Sequence, residues 1–78
     1  MDETVKITVK LFATFRRGRF REALREYPAA TRIADVIADL EIEAKDIGMI
    51  FIRGQHAEPE QVLREGDVLA LFPLLGGG

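Results

Sequence analysis

Cysteine does not occur in this sequence, and His56 is its only histidine. The first absence excludes disulfides, thiolate metal ligands and a cysteine nucleophile together. With a single histidine as well, a metal site or a catalytic triad would lack its commonest members, and neither is expected. A basic surplus is also missing. Eleven Lys and Arg face 13 Asp and Glu, for a formal net charge of −2, so the chain carries no electrostatic footprint for nucleic acid or an anionic membrane. No apolar run approaches the length of a membrane span, and Met1-Asp2-Glu3 shows neither the basic nor the apolar region of a signal peptide. The expected location is the cytoplasm. A chain of 78 residues leaves no room for a second domain. Its 47% hydrophobic and 31% charged residues are too apolar for disorder.

What is present reads as alternating strands around one helix. Over residues 4 to 13, Val5, Ile7, Val9 and Leu11 point one way while Lys6, Thr8, Lys10 and Phe12 point the other, the pattern of a half-buried strand. Phe12 breaks the polar face. Arg16, Arg17, Gly18, Arg19 and Arg21 then form a basic connection, expected to be either a solvated loop or a surface for an acidic partner. A second, antiparallel strand is expected within residues 20 to 27. Thr31 offers an N-cap hydroxyl and Asp35 a negative charge in the first turn. Ile33, Val36, Ile37 and Leu40 follow at i, i+3, i+4 and i+7, the stripe of a core-facing helix. Met49-Ile50-Phe51-Ile52 has few polar positions and reads as a strand in the middle of a sheet. Gly54 marks a turn, Pro59 limits residues 55 to 60 to a short edge strand, and Val62 and Leu63 add core side chains. After Glu65-Gly66-Asp67 comes the last strand, residues 68 to 72. On it, Leu69 and Leu71 face one way and Val68, Ala70 and Phe72 the other.

One helix needs one sheet face to bury against, and four or five short strands supply it: an α+β two-layer roll. Its first and last strands are expected to be parallel neighbours in the middle of the sheet. The expected core comprises Ile7, Val9, Leu11, Ile33, Val36, Ile37, Leu40, Ile50, Ile52, Leu69 and Leu71.

The last eight residues, Leu71-Phe72-Pro73-Leu74-Leu75-Gly76-Gly77-Gly78, run from an apolar strand end through one proline into three glycines. Glycine has no Cβ and the greatest backbone freedom, so the expectation is a domain over residues 1–75 and a slender glycine tail over 76–78. A terminal carboxylate there is ionised at neutral pH and is a nucleophile towards phosphorus. The same glycines also read as an idle end.

Taken in order, Val9-Lys10-Leu11-Phe12-Ala13, Ile33-Ala34-Asp35-Val36-Ile37, Ile52-Arg53-Gly54, Glu65-Gly66-Asp67-Val68 and Leu71-Phe72-Pro73 with the terminal Gly77-Gly78 resemble the MoaD/ThiS family of ubiquitin-like sulfur carriers. The resemblance spans nearly the whole chain. Length and the Phe72-Pro73 pair are more similar to the molybdopterin synthase small subunit than to the thiamin carriers. Arg53 departs from the Asn that the family often has before Gly, and Leu74-Leu75-Gly76 departs from its more usual apolar and small residues.

The resemblance implies a β-grasp (ubiquitin-like) roll, with a four- to five-stranded mixed sheet on one main helix. It also implies a chemistry. An E1-like adenylating enzyme, using ATP and Mg, would activate the Gly78 carboxylate as an acyl adenylate. A sulfurtransferase or other persulfide donor would convert it to a thiocarboxylate, and a synthase large subunit would take the sulfur for a molybdopterin-type cofactor. The chain itself would be a cosubstrate with no catalytic side chain, bound cofactor or metal. Gly78 and Gly77 would be the reacting end. Phe12, Phe72, Pro73, Leu74, Leu75 and Gly76 would form the surface offered to partners. The alternatives are a ubiquitin-like modifier conjugated through Gly78 and a non-catalytic interaction domain.

Overall fold

A computed structural model describes residues 3–74. Its elements are β1 (Thr4–Leu11), a 3-10 turn (Ala13–Arg16), β2 (Glu22–Pro28), α1 (Ile33–Asp39), a second 3-10 turn (Ala44–Asp46), β3 (Ile47–Ile52), β4 (Gln55–His56) and β5 (Val68–Pro73). The strands form one mixed sheet in the order β2-β1-β5-β3-β4, with α1 against one face. This is the expected roll. β1 and β5 are parallel neighbours, Val9 beside Leu69 and Leu11 beside Leu71, while β2 and β3 pair antiparallel to them from either side.

Alternation decides which residues enter the core. All eleven residues of the expected core are buried, Ile7, Val9, Leu11, Leu69 and Leu71 completely; Phe15, Ile42, Ala57 and Leu63 join them in one cluster, with Val5 partly buried at its margin. Val62 does not; it is 46% exposed, and Leu63 alone enters from that segment. Tyr27 packs at the cluster's margin, where burial pushes its phenol above the usual tyrosine pKa; the hydroxyl donates to Asp39 Oδ2 at 3.1 Å.

Several local expectations are corrected by hydrogen bonding. β1 stops at Leu11, short of the expected residue 13, because Ala13 takes φ 53° and turns the chain so that Phe15 drops into the core. Arg19 is exposed, yet its guanidinium is anchored to main-chain carbonyls. Its Nε donates to Leu40 O at 2.9 Å and Nη2 to Glu41 O at 3.1 Å, satisfying carbonyls at the end of α1 that the helix leaves without partners, while Nη1 donates to Phe15 O in the first 3-10 turn at 3.2 Å. The N-cap is Arg32, not Thr31, whose hydroxyl donates to Pro28 O at 2.6 Å. Asp35 Oδ2 accepts the Arg32 N–H at 2.9 Å, so the acid at N3 satisfies the start of the helix without help from a serine or threonine.

β3 is an interior strand, paired with β5 on one side and, over only two residues, with β4 on the other. Its apolar run combines Ile50 and Ile52 in the core with Met49 and Phe51 on the outward face. A bulge at Gly48 shifts the register, so Ile47 lies opposite Pro73 and Met49 opposite Phe72. The β3–β4 hairpin closes through Arg53 (φ 51°) and Gly54 (φ 80°), both left-handed as a two-residue turn of type I′ demands. Arg53 replaces the asparagine suited to that turn and gains a partner: its Nε lies 3.4 Å from Oδ1 of the buried Asp67, whose Oδ2 accepts the Arg64 N–H at 2.8 Å.

The packing predicts the effect of truncation. Leu69 is fully buried between β1 and α1's layer, and removing such a side chain costs about 2–5 kcal/mol. Leu69→Ala is therefore expected to lower Tm by about 10 °C or more in a domain this small. Thermal melting followed by circular dichroism checks this, and an unchanged Tm would contradict the layering.

Candidate functional site: an aromatic sheet face beside the chain's exit

The face of the sheet away from α1 carries the residues that alternation turned outward. On β1 and β2, Lys6, Lys10, Glu22 and Glu26 make it charged, with Lys6 opposite Glu26 and Lys10 opposite Glu22. Towards β5 and β3 it becomes apolar: Ala70 lies between Lys10 and Phe51, and Phe72 lies opposite Met49.

Phe12 follows β1 directly and stacks on Phe72, with ring centroids 4.1 Å apart and planes within 6°. Phe72 meets Phe51 edge to face at 5.7 Å, and Phe51 meets His56 in the same way at 6.1 Å. The Arg16 guanidinium sits 5.3 Å from the Phe12 ring centre, held by donation from Nε to Leu11 O at 2.7 Å. A continuous row of rings thus crosses four strands, with a cation at one end and His56 beside Glu58 at the other. Its three phenylalanines are half-buried and lie outside the hydrophobic core, while His56 is exposed and Met49 beside them is 46% exposed.

The structure brings Phe12 and Phe72 together as expected. Pro73 is placed otherwise: it is buried and alternates to the side of the strand opposite Phe72, so it supports the face from behind and does not line it. Leu74 is 61% exposed at the end of the row's strand, and its N–H donates to Asp46 O at 2.9 Å. Leu75, Gly76, Gly77 and Gly78, and with them the boundary between 1–75 and 76–78, lie outside the described residues. Beside Leu74 an open cleft of about 440 Å³ is lined by Arg19, Glu41, Glu43, Lys45 and Asp46, so carboxylates and cations are mixed there.

Phe51, Met49, Arg16 and His56 were not among the expected site residues. The signal for the first two was present: with Ile50 and Ile52 inward, positions 49 and 51 must face out. Among the described residues no three His, Asp or Glu side chains are grouped to hold a metal, and no helix is long and apolar enough to cross a membrane.

The sequence matches the ThiS family over residues 9–78. The chain belongs to the ThiS family. Among solved structures, this ThiS-family chain is similar to a protein of Pyrococcus furiosus assigned as molybdopterin converting factor, subunit 1, with 28% identity and a TM-score of 0.73 over 91% of this chain and 99% of that one. The same fold occurs in SAMP1 of Haloferax volcanii, at 22% identity and a TM-score of 0.70, covering 94% of this chain and 99% of that one. It occurs also in small archaeal modifier protein 1 of Methanosarcina acetivorans, at 21% identity and 0.72, covering 97% and 99%. No curated protein matches the sequence significantly. Together these make the chain a MoaD/ThiS-type member of the ubiquitin-like β-grasp fold.

For this ThiS-family domain the position of the aromatic row separates recognition from stability. Phe72→Ala removes the ring at the centre of the row while leaving Leu69 and Leu71 in place. If the row is a binding face, its central aromatic carries a hot-spot share of the energy, about 2 kcal/mol or more. The expected outcome is at least about a 30-fold loss of affinity for the partner enzyme, by calorimetry, with Tm changed by only a few degrees. A large fall in Tm with affinity retained would place the rings in a second core instead.

Proposed function

We propose that this protein is a sulfur carrier whose C-terminal Gly78 is activated and converted to a thiocarboxylate. The observation carrying the proposal is that the family match runs through Gly78, while the strand leading towards it, β5, lies at the centre of the sheet beside an outward aromatic row. The row is the surface for docking, and the terminus is the reacting group.

The chemistry needs no side chain of this protein. A carboxylate oxygen is a poor leaving group, so the terminus is inert until an E1-like partner, holding ATP and Mg, directs it at the α-phosphorus. A new C–O–P linkage forms and pyrophosphate leaves. The acyl adenylate has AMP as a good leaving group. A persulfide sulfur from a donor protein attacks the acyl carbon, AMP departs, and cleavage of the acyl disulfide by a donor thiol leaves the thiocarboxylate and a donor disulfide. A synthase large subunit then receives the sulfur. The likeness to molybdopterin converting factor subunit 1 favours a pterin product. The protein acts as cosubstrate, and the absence of cysteine fits a carrier that holds sulfur on its terminus.

Slenderness at the end follows from the same chemistry. One residue added after Gly78 displaces the carboxylate by up to about 3.3–3.6 Å, beyond attack distance. Deleting Gly78, or appending one alanine, is expected to abolish adenylation while leaving Tm unchanged. Gly77→Val is expected to impair the same step by crowding it, with Gly76 more tolerant. Intact-mass spectrometry after incubation with the cognate activating enzyme, ATP and a sulfur donor is expected to show a gain of roughly 16 Da, oxygen replaced by sulfur. A terminus that is adenylated but ends only on lysines of other proteins identifies a modifier. A terminus never adenylated identifies an interaction domain.

A further inference from the structure

We infer that Gly48 is a positioning residue: through the bulge it forms in β3, it sets the direction in which the chain leaves the sheet at Leu74. This rests on the proposed activation of the C-terminus and concerns how the fold aims that end.

Gly48 is the extra residue between two register pairs, Ile47 with Pro73 and Met49 with Phe72. A bulge of this kind bends a strand and ends or redirects its pairing. Conformational freedom is not the reason for glycine here, since Gly48 is not among the glycines with positive φ. Space is. A Cβ at Gly48 would lie 2.6 Å from the Pro73 carbonyl oxygen, 2.9 Å from its carbonyl carbon and 3.0 Å from Leu74 Cα. All three are main-chain atoms, so no side chain can swing aside; the exiting backbone itself would have to move.

The neighbouring hydrogen bond shows what this close approach secures. Pro73 has no N–H, so it cannot donate to the ladder at the sheet's last rung. The next donor, Leu74 N–H, reaches across to Asp46 O at 2.9 Å, just before the bulge. Asp46 itself closes the 3-10 turn Ala44–Asp46, with its N–H donating to Glu43 O at 2.9 Å. Gly48 therefore lets the two backbones approach, and Asp46 O fixes the first residue beyond β5. The bulge also turns Ile47 inward with Pro73 while Met49 stays outward with Phe72. The bulge thus leaves Met49 and Phe72 on the outward face while it sets the path of the chain leaving that face.

Docking and aiming contribute to different kinetic constants. Met49, Phe51 and Phe72 govern binding to the activating enzyme, whereas the exit direction governs whether the carboxylate reaches the α-phosphorus once bound. A displacement of about 1 Å costs up to on the order of 100-fold in rate. Gly48→Ala is therefore expected to lower kcat for adenylation by about 10-fold or more, with KM for the carrier changed by less than about twofold. Amide hydrogen exchange on the isolated variant is expected to show lost protection at Leu74 but retained protection at Leu69 and Leu71. Should Gly48→Ala fail to fold, Leu74→Pro, which deletes the donor without touching β3, is expected to give the same fall in kcat. A folded Gly48→Ala protein with wild-type kcat, a loss confined to KM, or an unprotected Leu74 amide in the wild-type protein overturns the positioning role. A wild-type chain that no activating enzyme adenylates overturns the sulfur-carrier reading itself, which the same assay registers separately.

Discussion

Parallel pairing between the two ends of the described chain is the constraint on which the rest depends. β1 and β5 lie side by side in the sheet, and the residues they turn towards α1 are wholly buried. A parallel pair cannot be joined by a tight turn, so everything between Leu11 and Val68 is a crossover. It supplies β2 and β3 as flanking strands and α1 as the cover for the apolar face. Burial of Ile7, Val9, Leu69 and Leu71 beneath the helix holds that crossover shut. The chain consequently leaves β5 at Leu74 from the interior of the sheet, beside Phe12 and Phe72, and not from a sheet edge.

Opposite sides of one pair of strands thus differ in kind. Inward residues give stability; outward residues form the aromatic row, which lies outside the core. Under the proposed function that row is the docking surface, and the proposed reacting group belongs to neither face. At Leu74, Gly48 and Asp46 O define the path of the chain beyond β5. A carrier of the proposed kind would need no tuned side chain of its own.

The period-2 pattern in β1 and β5 and the 3.6-residue stripe of α1 made the layers and most of the core legible in the sequence, since both elements are amphipathic. The parallel β1–β5 pair followed from the need to close a roll around one helix. What escaped was set by contacts distant in sequence or by backbone conformation. The turn holding Phe15 depends on a left-handed Ala13, which propensity does not anticipate. Arg19 looked like any loop arginine until α1's last carbonyls were in reach. β3 showed no alternation because its outward residues, Met49 and Phe51, are as apolar as its inward ones. Arg53 stood out as unusual, but its partner Asp67 lies across a turn that only the fold brings near. Of the expected site, Phe12 and Phe72 were legible from alternation, whereas the inward placement of Pro73 follows from strand pairing continuing through it.

Partners are expected to engage the sheet face beside Leu74 and to leave the helical layer free. Chemical-shift mapping of the labelled protein during titration with its cognate activating enzyme tests this most directly. Signals of Phe12, Met49, Phe51, Phe72 and Leu74 are expected to change together, while those of the exposed α1 residues Ala34 and Ala38 stay fixed. Changes centred on α1, with the aromatic row silent, would contradict it.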